Sequence, residues 1–385
     1  MAGTRRKVCI VVGSRANYGR IKSVMAAVRD HPELELVLLV GASALLFRYG
    51  QAVDVIERDG FEVRARVYSI VEGENPATMA KSTGLGIIEL TTQFETLAPD
   101  VVVTVADRFE TLATAVAASY MNIPLAHTQG GEVTGSIDES VRHAITKLAH
   151  VHFTATELAR ERVLRMGEAP GSVHVTGCPS LDPLVGLDRG LPADFFNAYG
   201  GSGAPIDASK PFIVVLQHPV TTEYHEAFGQ IEETLAAIEA IGTQTVWLWP
   251  NVDAGSDSTS KGLRLFVARH PGFPIRLFRN FAVEDYARVI ASCACLVGNS
   301  SSAIREGAFL GVPAVNVGTR QNRRERGANL VDVGHDRSAI RAAILRQVGH
   351  GPYARDALYG DGRSGSRIAD LLARITFNVQ KSLAY

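Results

Sequence analysis

The fold is decided by residues 8–20, VCIVVGSRANYGR, in which an apolar run ends in a polar loop and leads into a helical pattern. An unbroken apolar run of this kind is typical of a strand buried on both faces. The same order of strand, loop and helix recurs along the first half of the chain. Further apolar runs lie at 34–41, 100–106, 124–127, 151–156 and 172–177, and helical patterns lie at 20–29, 109–121, 138–147 and 157–166. This alternation predicts a parallel sheet covered by helices on both faces.

A second series of strands and helices follows a break between residues 186 and 210, where Gly, Pro, Ala, Ser and Asp predominate. Such a composition is typical of a connection between packed units. Apolar runs resume at 211–218, 245–251, 274–278, 293–299, 314–318 and 330–333. Because 385 residues exceed the usual size of one core, we predict an α/β protein with two doubly wound, Rossmann-like domains facing a central cleft. The predicted domains are 1–186 and 187–366, and an amphipathic helix over 367–385 is expected to pack back on the first domain.

The charge composition argues against a polyanionic partner. Lys and Arg number 39 against 40 Asp and Glu, and no basic stripe stands out, so no nucleic-acid partner is expected. The chain is 46% hydrophobic and 21% charged, which is typical of a soluble globular protein. No apolar run approaches the roughly 20 residues that span a bilayer, and the first run is too short for a secretory signal. We therefore expect a cytoplasmic protein without membrane contact.

Neither the cysteines nor the first loop predicts a metal or a cofactor. Cys9 and Cys178 are isolated, and Cys293 and Cys295 occupy alternate positions of one strand, so reduced, buried thiols are expected. The loop after the first strand lacks the glycine spacing of a dinucleotide site and the lysine of a P-loop. NAD and ATP are therefore disfavoured, and we expect no cofactor and no metal.

The segment CLVGNSSSAIREGAFLG, residues 295–311, passes from a strand through three serines into a helical pattern. A helix start exposes backbone N–H groups, so Ser300, Ser301 and Ser302 could seat a phosphate. Glu306 lies about one turn further on, where its carboxylate could accept the hydroxyls of a ribose. The alternative is that the serines only cap the helix.

Three basic side chains follow other strands. Arg15 and Arg320 each follow a strand end and could clamp a diphosphate, although either could be merely solvated. His218 lies in VLQHPVTTE, residues 215–223, where Pro219 prevents immediate helix formation. Its imidazole could donate to a phosphate oxygen or protonate a leaving group, or it could be a structural histidine. Because ligands of open α/β sheets bind outside the carboxyl ends of the strands, these motifs are expected to share one cleft.

Carboxylates gather after two strands of the first half. VADRFETLA, residues 105–113, carries Asp107 and Arg108 at a strand end. The stretch 127–147, HTQGGEVTGSIDESVRHAITK, adds His127, Gln129, Glu132, Asp138, Arg142 and His143. Asp138 could be only a helix N-cap, and Asp107 only a partner of Arg108. Several carboxylates in one place must each be desolvated or paired, so acid–base chemistry is the better interpretation.

Taken together, these motifs resemble those of the hydrolysing UDP-N-acetylglucosamine 2-epimerases, the family that makes N-acetylmannosamine for sialic acid synthesis. More distantly, the chain is similar to the non-hydrolysing 2-epimerases and to the two-domain glycosyltransferase-B fold. The resemblance covers nearly the whole chain. Its motifs are SRANYG (14–19), EGE (72–74), DRFETLA (107–113), GGEVTGSIDESVRHAITKLAH (130–150), GCPSLD (177–182), QHPVTTE (217–223), PNVDAGS (250–256), GNSSSAIRE (298–306), VGTRQNRR (317–324) and YGDG (359–362).

The resemblance implies a reaction and a set of site residues. UDP-N-acetylglucosamine and water would give N-acetylmannosamine and UDP through 2-acetamidoglucal, on a homodimer or homotetramer. The residues implied to bind the UDP part are Arg15, His218, Asn251, Ser300, Ser301, Ser302, Glu306 and Arg320. Asp107 and Asp138 would act on the sugar. The residues implied to complete the same pocket are Arg108, Glu132, Arg142 and His143.

Two positions depart from the family pattern. Gln129 stands where many members have glutamate, and Asn17 where an acid is common. Because an amide does not exchange protons near neutral pH, either Asp107 and Asp138 suffice, or Glu132 takes over, or the substrate differs. The open alternatives are a GDP-linked or modified UDP-hexosamine substrate, a non-hydrolysing epimerase, a glycosyltransferase of the same fold, and a non-catalytic sugar-nucleotide sensor.

Overall fold

Two doubly wound sheets form the molecule, as seen in a computed structural model, and they confirm the predicted α/β class. The structure describes residues 5–73, 75–105, 107–251 and 253–384. Three positions within quoted motifs, Glu74, Ala106 and Val252, lie outside the described residues.

The first sheet is built from short apolar strands. They are β1 (Arg6–Val12), β2 (Leu34–Gly41), β3 (Val63–Val67), β4 (Val101–Val105), β5 (Leu125–Thr128), β6 (Val151–Thr154) and β7 (Val173–Val175). All neighbouring pairs are parallel, in the order β3–β2–β1–β4–β5–β6–β7. Parallel strands need crossover connections, and helices supply most of them here.

The helices of this half are α1 (Arg15–Asp30), α2 (Ala52–Arg58), α3 (Pro76–Leu97), α4 (Phe109–Tyr120), α5 (Asp138–Leu148) and α6 (Glu157–Arg165). Helix α1 begins at Arg15 and not at the predicted Arg20, because the Ser14 hydroxyl accepts from the Asn17 N–H at 3.2 Å and caps the helix. Alternate residues of β1 enter two separate cores. Val8 and Ile10 pack in one cluster with α1, and Cys9 packs in another with α3 and α4, so both faces of the sheet are buried.

The second sheet repeats this plan. Its strands are β8 (Ser202–Gly203), β9 (Phe212–Leu216), β10 (Gln244–Leu248), β11 (Ile275–Phe278), β12 (Cys295–Gly298), β13 (Ala314–Val317) and β14 (Leu330–Val333). Their order is β14–β13–β12–β9–β10–β11–β8, and every pair is parallel except β11 with β8. Strand β8 lies in the segment predicted to be only a connection, where Arg276 Nε donates to the Gly200 carbonyl at 2.6 Å.

The helices of the second half are α7 (Phe195–Tyr199), α8 (Ala227–Ile241), α9 (Ser256–Arg269), α10 (Val283–Ser292), α11 (Glu306–Leu310) and α12 (Arg337–His350). The last strand of the first sheet ends at Val175 and the first strand of the second begins at Ser202. The predicted domain boundary between residues 186 and 187 lies between these strands and stays a prediction.

The C-terminal helix α13 covers Ser364–Arg374, and the prediction of a helix over 367–385 is wrong beyond Arg374. Its buried residues Ile368 and Leu372 belong to the same hydrophobic cluster as Val8, so α13 packs on the first half. After α13 the chain stops making its own helical hydrogen bonds. The Ile375 carbonyl instead accepts from Arg6 Nη1 at 2.9 Å, which holds the extended segment on the first sheet.

No helix in the described part of the chain is long and apolar enough to cross a membrane. The four cysteines are free and buried, as predicted.

Candidate functional site

A cavity lies between the carboxyl ends of the two sheets. The predicted site residues that line it are Arg15, Asp107, Arg108, His218, Asn251, Ser300, Ser301, Ser302, Glu306 and Arg320. A larger groove of about 870 Å³ borders this cavity and shares Asn280 and Phe281 with it. Of the predicted carboxylates, Asp107 and Glu306 line the smaller cavity together with the serines and His218, so we place the candidate site there. Asp138 and Glu132 are not among the described residues that line it, and Asp138 lies against the lining residue Arg320.

Asp107 follows β4 and is held by arginines. Arg142 Nη2 donates to Asp107 Oδ2, and Arg20 Nη1 lies 3.8 Å from Asp107 Oδ1. Burial opposes ionisation of Asp107, but the charges of Arg142, Arg20 and Arg324 outweigh it and hold its pKa below the usual range. Asp107 is therefore an ionised carboxylate at the wall of the cavity.

Asp138 is the first residue of α5, and its Oδ2 lies 3.6 Å from Arg320 Nη2. The N-cap position is Ile137, so the alternative in which Asp138 is only an N-cap is wrong. Burial and the neighbouring charge of Asp107 raise the pKa of Asp138 to about 6. Two carboxyl groups with pKa values pushed apart are suited to separate proton-transfer roles.

Arg108 is the N-cap residue of α4 and forms ion pairs with both halves of the molecule. Its Nε donates to Glu110 Oε1 at 2.7 Å, and its Nη1 lies 2.8 Å from Asp253 Oδ1. All three side chains are buried. Burial opposes the charge on Arg108, but Asp253 and Glu110 outweigh it and raise the pKa of the guanidinium further. Arg108 is thus a permanent cation on the cavity wall.

His218 follows β9 and is fixed by Asn299 and Asn251. Its backbone N–H donates to Asn299 Oδ1 at 2.8 Å, and Asn299 Nδ2 donates to its carbonyl at 2.8 Å. The imidazole Nδ1 accepts from the Asn251 N–H at 3.2 Å, which assigns the remaining proton to Nε2. Burial and the charges of Arg320 and Arg15 lower the pKa of His218 well below 6.5. A neutral N–H donor is therefore favoured over an acid that protonates a leaving group.

The serine segment departs from the prediction. Ser301–Ala303 forms a short 3₁₀ turn capped by Ser300, whose Oγ accepts from the Ser302 N–H at 3.3 Å. The α-helix starts only at Glu306 and has five residues, with Arg305 at its N-cap. The predicted helix start at the serines is therefore confirmed as a 3₁₀ turn capped by Ser300, but it is not the start of the α-helix. Positive charge at this wall comes from arginine side chains and not from a long helix dipole.

Arg20 is a cavity residue that the sequence reasoning missed. Its Nη2 donates to Ser301 Oγ at 2.8 Å, and its Nη1 faces Asp107, so it joins the two walls. Burial and the charge of Arg305 lower the pKa of Arg20 to about 10. In the helix predicted over 20–29, Arg20 occupies the first position and has no assigned role. Because α1 starts five residues earlier, at Arg15, Arg20 lies inside the helix and faces the cleft. Other lining residues without a predicted role are Ser180, Asn280, Phe281 and Tyr286.

The remaining predicted residues lie behind the cavity wall. Gln129 adopts φ +64° and is buried, and its Nε2 donates to Cys178 Sγ at 3.3 Å. Cys178 Sγ lies 3.1 Å from the Ser180 hydroxyl, so Gln129 reaches the cavity through these two side chains. His143 Nε2 lies 3.2 Å from Glu139 Oε1 on the same helix.

Glu132 is buried in ion pairs with the second half. Its Oε2 accepts from Arg305 Nη2 at 2.6 Å and from Arg324 Nε at 3.0 Å. Burial opposes its ionisation, but Arg305 and Arg324 outweigh it and lower the pKa of Glu132 to about 2. The Glu132 side chain is 1% exposed, against 17% for Asp138, and its carboxylate is turned to Arg305 and Arg324. This placement disfavours the hypothesis that Glu132 takes over a proton-transfer role.

The cleft between the two doubly wound sheets therefore brings arginines, serine hydroxyls, a neutral histidine and carboxylates together outside the carboxyl ends of the strands, where ligands of open α/β sheets bind. The family model described as UDP-N-acetylglucosamine 2-epimerase matches residues 26–373, and the chain belongs to this family. The predicted family resemblance is thereby confirmed.

Individual relatives agree with this assignment. The chain is 33% identical over 375 residues to a hydrolysing UDP-N,N'-diacetylbacillosamine 2-epimerase of Legionella pneumophila, covering 97% of each chain. It is 29% identical over 371 residues to a UDP-N-acetylglucosamine 2-epimerase of Neisseria meningitidis, covering 95% of each. The crystal structure of the Methanocaldococcus jannaschii UDP-GlcNAc 2-epimerase with UDP-GlcNAc and UDP is similar in fold, with a TM-score of 0.78 at 19% identity over 95% of this chain and 99% of that one. This likeness confirms the predicted glycosyltransferase-B type of fold.

Proposed function

We propose that the protein is a hydrolysing UDP-N-acetylglucosamine 2-epimerase that converts UDP-GlcNAc and water to N-acetylmannosamine and UDP. The observation that carries the proposal is a pair of carboxyl groups at the cleft: Asp107 lines the cavity, and Asp138 lies 3.6 Å from the lining residue Arg320. Their pKa values are shifted in opposite directions. The hydrolysing outcome is supported by the Legionella pneumophila relative, whose name states that reaction type.

The cationic wall is suited to a departing diphosphate. Arg15 and Arg320 provide charge, the serines 300–302 provide hydroxyls, and neutral His218 provides an N–H donor. Such groups stabilise the negative charge that develops on the leaving group without moving during the reaction. We assign the ribose hydroxyls to Glu306, which lines the same cavity.

The first step is an elimination. The hydrogen on C2 of the sugar is not acidic until the bond from C1 to the UDP oxygen lengthens and C1 becomes cationic. The bond then breaks with its electron pair leaving on UDP, ionised Asp107 takes the C2 proton, and a C1–C2 double bond forms. The products of this step are UDP and 2-acetamidoglucal.

The second step adds water across the double bond. Protonated Asp138 delivers its proton to C2 on the opposite face, and the water oxygen bonds to C1. The second proton of the water returns to Asp138, and Asp107 releases its proton to solvent. Delivery from the opposite face inverts C2, so the sugar released is N-acetylmannosamine.

Incubation with a panel of UDP- and GDP-linked hexosamines tests the proposal, with free nucleotide and free sugar both measured. We expect UDP and a free sugar inverted at C2. An inverted sugar still attached to UDP would identify a non-hydrolysing epimerase. UDP release only when an acceptor is added would identify a glycosyltransferase, and UDP binding without any product would identify a sensor. A homodimer or homotetramer and a cytoplasmic location stay predictions.

A second candidate substrate is UDP-N,N'-diacetylbacillosamine, in which the sugar carries two N-acetyl groups. It is favoured by the higher identity to the Legionella pneumophila relative, 33%, than to the Neisseria meningitidis relative, 29%. Measurement of kcat/KM for the two UDP-sugars decides which one is the substrate, because the ratio of the two values reports how much more tightly the enzyme binds one transition state than the other.

A further inference from the structure

A buried carboxylate of the first half holds two arginines of the second half. Glu132 Oε2 accepts from Arg305 and Arg324, and the three side chains are 1%, 1% and 3% exposed. A buried ion pair costs desolvation energy that often cancels its attraction, so stability alone is a weak reason for such an arrangement. This ion-pair cluster lies between the two halves, and it is connected to the candidate site through both of them.

On the second half, both arginines lie beside cavity residues. Arg305 directly precedes Glu306, which lines the cavity. Arg324 Nη1 donates to Gln321 Oε1 at 2.8 Å, and Gln321 Nε2 donates to the Asn299 carbonyl at 2.8 Å. Asn299 in turn holds the backbone of His218. A continuous set of hydrogen bonds therefore connects Glu132 to the wall that carries the serines and His218.

On the first half, Glu132 is connected to Asp107. The Glu132 carbonyl accepts from Arg142 Nη1 at 2.7 Å, and Arg142 Nη2 donates to Asp107 Oδ2. Arg142 is 1% exposed, so it has no freedom to find another partner without moving this loop. The position of Glu132 thus determines how Arg142 presents to Asp107.

From these contacts we propose that Glu132 is a positioning residue that couples closure of the two halves to the placement of Asp107 at the sugar. The inference rests on the proposed function. Closure brings Arg305 and Arg324 onto Glu132, and Glu132 orders Arg142, which orients Asp107. Apart from Arg15, the UDP seat lies on the second half, so loss of the contacts of Glu132 with Arg305 and Arg324 leaves UDP binding largely intact.

The substitution Glu132→Gln tests this coupling, since the amide keeps the shape and one acceptor oxygen but removes the charge. We expect kcat to fall about 10- to 100-fold, the loss typical of a misplaced catalytic group, while the Kd for UDP stays within about threefold. Small-angle X-ray scattering with UDP bound should give a larger radius of gyration for the variant than for the wild type.

The matched control is Glu284→Gln, which removes an exposed carboxylate that also joins the two halves. Glu284 lies 2.7 Å from Lys22 and its side chain is 51% exposed, so solvent screens the pair and the variant should keep wild-type kcat and shape.

The double variant E132Q/R324Q removes both charges and should show a kcat no lower than that of E132Q, because the two residues act as one unit. If E132Q alone is too unstable to purify, kcat and UDP binding are measured on the double variant, which has no unpaired charge at position 324.

A wild-type kcat in folded E132Q, or a UDP Kd that weakens as much as kcat falls, would overturn the inference. Additive losses in the double variant would do the same. Failure of the proposed function is a separate result, because it appears as absence of UDP release by the wild type, whereas the scattering comparison reports closure of the two halves without any turnover.

Discussion

Asp107 and Asp138 are carboxyl groups of the same type in opposite electrostatic surroundings. Asp107 has Arg142 and Arg20 beside it, whereas Asp138 lies 3.6 Å from Arg320 and near the negative charge of Asp107. The first group is therefore ionised, and the second takes up a proton as the pH falls through about 6. This difference is why the proposed mechanism gives proton removal to Asp107 and proton delivery to Asp138.

Asp107→Asn should abolish turnover while leaving UDP binding nearly intact. The amide cannot accept the C2 proton, and loss of a general base lowers rates by about 100-fold or more. Measurement of UDP release and of UDP binding by calorimetry checks both parts. Asp30→Asn is the control, because that carboxylate is exposed at the end of α1 and contacts Arg29. Unchanged turnover in D107N would remove Asp107 from the mechanism.

The raised pKa of Asp138 leads us to expect that both folding stability and turnover depend on pH. Burial and the charge of Asp107 raise its pKa to about 6, so the folded state binds this proton more tightly than the unfolded chain does. The resulting stability is complete below the ordinary pKa and is lost as pH rises through about 6. Turnover should fall over the same interval, because a protonated Asp138 delivers the proton to C2.

The neutral variant Asp138→Asn separates the two effects. It should lose turnover and yet be more stable than the wild type at about pH 8, with little difference at about pH 4, where the wild-type carboxyl is itself protonated. Thermal melts at both pH values and the pH–rate profile of the wild type measure this. Equal stability differences at the two pH values would contradict the assignment.

Gln129→Glu should raise, or at least not lower, the release of N-acetylmannosamine. Arg305 has two buried donors, Nε and Nη1, without a partner among the described residues, and its charge acts on Cys178, to which Gln129 donates. A carboxylate at position 129 would therefore enter surroundings that already contain a cation with two N–H donors left unpaired by the described residues. Product assays of both proteins under one condition make the comparison, and total loss of product would show that the amide has its own role.

At the scale of elements, the C-terminal segment closes the end of α5, the helix that carries Asp138 and Arg142. Lys381 Nζ donates to the carbonyls of Lys147 at 2.8 Å and Ala149 at 2.6 Å, and it lies 2.7 Å from Glu168 Oε2. A cation at a helix C-terminus satisfies free carbonyls and opposes the negative end of the helix dipole. This explains why the segment after α13 is extended and ordered against the first half.

Lys381→Met should lower the free energy of unfolding by about 1–3 kcal/mol, because helix carbonyls lose their donor and buried Glu168 loses one of its cations. Chemical denaturation measures the change. Lys210→Met is the control, since the side chain of Lys210 is 70% exposed and its ion pair is with a neighbouring carboxylate at 3.4 Å. Equal effects of the two substitutions would show that the Lys381 contacts do not stabilise α5.

At the scale of the whole molecule, the described residues join the two halves through buried and exposed ion pairs. Glu132 with Arg305 and Arg324, and Arg108 with Asp253, are buried, while Lys22 with Glu284 lies at the surface. Salt screens exposed charges strongly, since the Debye length falls to about 3 Å at 1 M, but it screens buried pairs much less. The closed arrangement should therefore depend on the buried ion pairs.

Closure with UDP bound should persist in about 1 M NaCl for this reason. Small-angle scattering at low and high salt measures the radius of gyration, which should stay constant within error. A marked increase in high salt would show that the exposed pairs hold the halves together.

Much of this molecule could be predicted from local pattern. Apolar runs identified the strands because parallel strands buried on both faces are apolar at nearly every position. Residues directly after strands, including His218 and Asp107, were predicted for the cleft because strand ends meet at one edge of the sheet. The start of α1 and the end of α13 were misjudged, because Ser14 and the partners of Ile375 act through hydrogen bonds that periodicity does not report.

The amino-acid sequence by itself determined the α/β class, the two sheets and the motifs on their edges, since these follow from the order of apolar and polar residues along the chain. Only the tertiary structure decided which charges neighbour one another. Arg20 at Asp107, and Arg305 and Arg324 at Glu132, come from residues far apart in sequence. Electrostatic interactions depend on distance and burial in space, so the different surroundings of Asp107, Asp138 and Glu132, from which their roles are proposed, became visible only once the halves were folded together.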